Sequence, residues 1–281
     1  MALTPFVTVD WLKAHLGQPD LVVLDGSWYL PAQGKDALGE YRAGHVPGAI
    51  RFDIDAMSDE TSGLPHMLPR PEVFATRMGA LGIGDGARIV VYDGLGLFSA
   101  PRVRWMLRVF GVGDVAILEG GYPAWVAAGG AVETGQGHSR APASFTAAFS
   151  EDAVADGQTV ANALESGSAQ VVDARSGPRF RGEEAEPRPG VRPGHMPGAR
   201  NVHYAALQSG GRLKEADALK AVFAESGVDL DRPVVTTCGS GVTAAIVSLA
   251  LETLGRPPRA LYDGSWSEWG SDPQRPVATG A

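Results

Sequence analysis

The chain repeats itself, and no other feature of it limits the possible folds so tightly. Leu21-Val-Val-Leu-Asp25 returns as Gln170-Val-Val-Asp173, and Gly44-His-Val-Pro-Gly-Ala49 returns as Gly194-His-Met-Pro-Gly-Ala199. Arg88-Ile-Val-Val-Tyr-Asp93 matches Pro233-Val-Val-Thr-Thr-Cys238, and Glu119-Gly-Gly-Tyr-Pro-Ala-Trp125 matches Asp263-Gly-Ser-Trp-Ser-Glu-Trp269. Pairing Asp25 with Asp173, Gly44 with Gly194, Asp93 with Cys238 and Glu119 with Asp263 gives offsets of 148, 150, 145 and 144. Four blocks recur in one order with small insertions, which describes a duplicated domain. A length of 281 residues suits two domains of about 140.

Each copy has the same grammar. Short β-branched runs at 21–24, 89–92, 171–172 and 234–237 stop abruptly at Gly, Asp or Cys, as strands buried on both faces of a parallel sheet do. Between them, segments 71–81, 101–110, 216–226 and 242–254 space their apolar residues by three and four, as helices do. The expected fold is α/β: two tandem domains, each a mostly parallel sheet with helices on both faces. Residues 1–140 form the first domain, the Ala-Ser-Pro-rich 141–149 a linker, and 150–281 the second. With 44% hydrophobic residues the chain can fill two cores. Its net charge of −8 provides no basic surface for nucleic acid or an anionic membrane. The most apolar run, 242–251, is half the length of a membrane span, and the N-terminus shows no signal-peptide pattern. A cytoplasmic monomer is expected.

The single cysteine, Cys238, excludes an internal disulfide, a cysteine zinc site and a Cys-x-x-Cys pair. It ends a strand and precedes Gly239-Ser240-Gly241-Val242-Thr243-Ala244 and a long apolar helix. Glycines let successive N–H groups curl toward the sulfur, and the helix dipole points the same way. Both favour an anionic, nucleophilic sulfur. A small buried hydrophobe is the bland alternative. A tyrosine-phosphatase loop needs an arginine six residues after the cysteine, where this chain has Ala244. No metal-ligand spacing and no nucleotide-binding glycine motif occurs, so neither metal nor cofactor is expected.

The tandem copies, the paired Gly-His-x-Pro-Gly-Ala blocks and the Cys-x-x-Gly-Val-Thr loop resemble the tandem-domain rhodanese superfamily. Cys238-Gly-Ser-Gly-Val-Thr-Ala244 is similar to the loop of its members that take sulfur from 3-mercaptopyruvate. The resemblance implies a silent first copy, with Asp93 at the cysteine position. It implies transfer of sulfur through a Cys238 persulfide to a thiol such as thioredoxin, or to cyanide, with release of pyruvate. The neutral Gly239 and Ser240 suit a monoanionic 2-oxo acid better than dianionic thiosulfate, whose users carry basic residues there. A thiosulfate sulfurtransferase and a non-catalytic protein-binding module are the alternatives.

Arg175, Arg179, Arg181, Arg188, Arg192 and Arg200 crowd into 26 residues, interleaved with Glu183, Glu184 and Glu186. By themselves these residues fit either an anion grip or a solvated loop laced with ion pairs. The resemblance places substrate on Arg179 and Arg188 and on loop residues Gly239, Gly241, Val242 and Thr243, with Arg181 structural. It also implies a proton relay of Asp55, His66 and Ser240 beside Cys238, against the alternative that Asp55 caps a helix and His66 only packs. His45 and His195 occur in both copies, the silent one included, and read as turn architecture. Trp28, Trp266 and Trp269 read as core.

Overall fold

The computed structural model describes residues 3–280. The chain divides into two compact units: residues 3–59, 68–150 and 210–212, and residues 60–67, 151–209 and 213–280. In the first, five parallel strands run across the sheet in the order Phe6–Val7, Val115–Leu118, Arg88–Tyr92, Leu21–Asp25 and Ile50–Arg51. In the second the order is Val154–Ala155, Ala260–Tyr262, Val234–Thr237, Gln170–Asp173 and Arg200–Asn201, again all parallel. Numbered along each copy, both sheets read 1-5-4-2-3, so the sequence repeat is a repeat of topology.

The central strands are buried along their length, as their unbroken apolar runs require. Helix Ala244–Thr253 buries eight of its ten residues, which explains why it is apolar all round. Among the described residues no helix is long and apolar enough to cross a membrane. Each copy turns after its second strand in the same way: Asp25 Oδ1 accepts from Ser27 N–H at 2.8 Å, and Asp173 Oδ1 from Arg175 N–H at 2.9 Å.

The repeated histidines are structural twins. His45 Nδ1 lies 2.8 Å from Tyr41 O, and His195 Nδ1 lies 2.8 Å from Phe180 O. A carbonyl only accepts, so each Nδ1 carries the proton. Each ring stacks on an aromatic, Tyr41 at 3.9 Å and Phe180 at 3.8 Å. Each also bridges to the chain that closes its copy, at Glu133 and at Ala278.

Residues 141–149 lie along the first unit. Ala143 N–H donates to Gly79 O, Ala148 N–H to Phe110 O, and Asp85 accepts from Thr146. Phe145 meets Phe74 edge-on and Phe149 tilts against Phe110. Two aromatics in a stretch otherwise of small residues therefore dock it as a strap.

Candidate active site

Cys238 is buried at the end of strand Val234–Thr237, and helix Ala244–Thr253 starts six residues later. Gly241 adopts φ +79°, the left-handed turn that lets the loop double back. Val242 and Thr243 lead into the helix, their carbonyls accepting from Ala245 and Ile246. The equivalent residue of the first copy, Asp93, is also buried, and its carboxylate accepts four backbone N–H groups of its own loop.

Ser240 is the meeting point of the second loop. Its Oγ lies 3.0 Å from His66 Nδ1 and accepts from Arg188 Nη2 at 3.4 Å. His66 comes from residues 60–67, which fold with the second unit although the first surrounds them in sequence. It is buried and holds φ +61°, uncommon for a residue with a side chain. Asp55 belongs to the first unit and is exposed there. Its Oδ2 accepts from Trp28 Nε1 at 3.1 Å, so Trp28, expected in the core, is half-buried and serves as a polar partner.

Arg179 reaches the loop from the short helix Gly177–Arg181. A Cβ on Gly239 would sit 3.1 Å from its Nη2 and 3.9 Å from its Nη1, so the terminal edge of the guanidinium covers Gly239. The adjoining Nε–Nη2 edge is held by Glu186, with Nε donating to Oε1 at 3.2 Å and Nη2 to Oε2 at 2.5 Å. Glu186 is nearly inaccessible, and its Oε1 also accepts from Arg175 Nη1 at 2.7 Å. Arg175 is fully buried over the Trp266 ring and pairs with Asp173 at 2.6 Å. Burial works against its charge, but Asp173 and Glu186 outweigh that and hold its pKa above the ordinary arginine value.

The arginine-rich segment thus divides. Arg181 pairs with Glu183 in solvent, the bland case. Arg192 pins the C-terminal turn through the carbonyls of Trp269, Gly270, Asp272 and Arg275. Arg179 and Arg188 face the loop. Glu186 escaped sequence reasoning because burial separates it from Glu183 and composition does not. Among the described residues, no group of three or more His, Cys, Asp or Glu side chains could hold a metal ion.

Two strand-ending loops on duplicated five-stranded sheets, one with a buried cysteine among arginines, define a class. The rhodanese-like domain family matches residues 8–128 and 156–272, and the chain belongs to it. It is an enzyme of the rhodanese sulfurtransferase family and moves sulfur through a cysteine persulfide. It is 48% identical over 283 residues to the 3-mercaptopyruvate sulfurtransferase of Escherichia coli K12, with 99% of each chain covered. The mitochondrial thiosulfate/3-mercaptopyruvate sulfurtransferase 1 of Arabidopsis thaliana is 41% identical, covering 97% of this chain and 78% of that one. The crystal structure of SseA from Escherichia coli, a 3-mercaptopyruvate sulfotransferase, superposes with a TM-score of 0.86 at 45% identity, covering 94% of this chain and 99% of that chain.

Proposed function

We propose that the sulfur donor is 3-mercaptopyruvate and that Cys238 carries the sulfur. The observation that supports this most directly is the arrangement at Ser240: a neutral loop beside the cysteine, with Arg188 on its hydroxyl and the Arg179 edge over Gly239. Two guanidinium groups suit the carboxylate and keto oxygens of a 2-oxo acid. The Cys238 thiolate attacks the donor sulfur, forming an S–S bond as the C–S bond breaks. The departing electron pair becomes the enolate of pyruvate, which takes one proton. Ser240 and His66, 3.0 Å apart, are the groups placed to deliver it. Loop N–H groups of Gly239, Gly241, Val242 and Thr243 hold the persulfide. An acceptor thiol, a small molecule or thioredoxin, then attacks the outer sulfur and regenerates Cys238. A reducing, cytoplasmic setting keeps such a lone thiol available.

The test combines pyruvate release from 3-mercaptopyruvate with intact-mass detection of an adduct of about 32 daltons, one sulfur atom, on Cys238. Cys238→Ser is expected to lose both, and turnover at the wild-type level in that variant would refute the mechanism. Thiosulfate compared as donor in the same assay decides between the substrates: a higher kcat/KM for thiosulfate would replace this reading.

A further inference from the structure

The two copies hold the start of their loops differently. In the second copy, four hydrogen bonds run from residues 265–267 to the Cys238–Gly239 backbone. Ser265 Oγ accepts from Cys238 N–H at 3.3 Å, and Trp266 N–H donates to Cys238 O at 2.9 Å. Ser267 N–H and Ser267 Oγ both donate to Gly239 O, at 2.9 and 2.6 Å. The equivalent segment of the first copy is Gly121-Tyr122-Pro123. Tyr122 N–H still donates to Asp93 O at 3.0 Å, but proline has no N–H and glycine no side chain.

Ser265 is also an unusual residue for its place. It is fully buried with φ +51°, a backbone state L side chains rarely adopt, and the first copy has glycine there at φ +56°. Its hydroxyl donates to Tyr262 O at 2.8 Å while accepting from Cys238, so both of its polar roles are used. A strained serine is kept where glycine fits the backbone.

The geometry of the peptide unit explains the use. In a trans peptide the carbonyl oxygen and the next N–H point to opposite sides of the chain. Holding Cys238 O and Gly239 O toward residues 266 and 267 turns the N–H groups of Gly239 and Ser240 the other way, into the bowl of the loop.

We propose that Ser265 and Ser267 are positioning residues for sulfur transfer, clamping the two peptides after Cys238 so that their N–H groups face the transferred sulfur. This rests on Cys238 being the sulfur carrier. Ser265→Gly restores the residue natural to that backbone, and Ser267→Ala removes one bond while leaving its N–H in place. The double variant is expected to lose about 10- to 100-fold in kcat, as misaligned preorganised donors do. The KM for 3-mercaptopyruvate should stay within about 2-fold, because Arg179 and Arg188 are untouched. Its Cys238 persulfide, followed by intact mass, should decay faster than that of the wild type. The single Ser265→Gly variant should melt no lower than the wild type, and Ser267→Thr, which keeps the hydroxyl, should retain kcat. A wild-type protein that forms no persulfide defeats the Cys238 reading. A wild type that forms it, beside a folded double variant with unchanged kcat and persulfide lifetime, defeats the clamp. A loss of kcat that only tracks a lowered melting temperature, with Ser267→Thr equally impaired, makes the residues structural and also overturns the proposal.

Discussion

The loops after Arg88–Tyr92 and after Val234–Thr237 occupy the same place in the same fold and do opposite things with it. In the first, Asp93 supplies its own anion. Oδ1 accepts from Leu95 N–H at 2.9 Å, and Oδ2 accepts from Phe98, Ser99 and Ala100 at 2.7, 3.0 and 2.9 Å. Complete burial raises the pKa of this carboxyl, and the N–H donors work against that rise. In the second, the strand ends in Cys238 instead of a carboxylate, and in the proposed reaction the loop holds the outer sulfur of its persulfide. The first loop is therefore a cradle of N–H groups at a strand-to-helix turn, as such turns readily form. In the first copy that cradle is filled by the chain's own carboxylate.

Emptying the filled cradle gives the largest expected effect. Asp93→Ala leaves four N–H groups, three of them buried, without their acceptor and should destabilise the first unit by on the order of 3 kcal/mol in denaturant unfolding. Formate, small enough to enter, should recover part of that loss. Unchanged stability would mean that the carboxylate is not what holds the first loop, and the comparison would fail.

On the active side, Arg179→Ala should lower kcat/KM for 3-mercaptopyruvate by about 10²-fold, in the range for deleting one partner of a hydrogen-bonded charge pair. Steady-state kinetics with the wild-type value retained would move donor binding off this arginine. A smaller change sharpens the picture further. Gly239→Ala puts a Cβ 3.1 Å from Arg179 Nη2, so the guanidinium must shift by a few tenths of an ångström. Since the obstacle is the end of a flexible side chain, KM should rise only about 3-fold with kcat nearly constant. A kcat loss as large as that of Arg179→Ala would show that the glycine matters to the loop itself.

Much of this is legible in the amino-acid sequence. The duplication and the parallel sheets follow from blocks in which residue type and order are local. Cys238 was identified because a strand, a glycine loop and a helix are contiguous in the chain. Other features were not legible. Ser240 and His66 are 174 positions apart, and it is folding of residues 60–67 with the second unit that brings them to 3.0 Å. Resemblance named both residues, but no spacing could have paired them. Asp55, named in the same way, folds with the first unit and holds Trp28.

Patterns of residue type repeat along the chain, so they announce strands, turns and a nucleophile to anyone reading in one dimension. Burial does not. Glu183 and Glu186 are the same residue three positions apart, yet Glu183 pairs with Arg181 in water and Glu186, almost fully buried, pairs with buried Arg175 and half-buried Arg179. The strength of a charge pair depends on the dielectric around it, and that is set only when distant segments close over it. Ser265 makes the same point through geometry. Its position opposite Gly121 was visible in the repeat, but its contact with Cys238 N–H exists only because strands Val234–Thr237 and Ala260–Tyr262 pair side by side. Sequence sets which chemistry is available, and tertiary packing decides which groups are desolvated and close enough to use it.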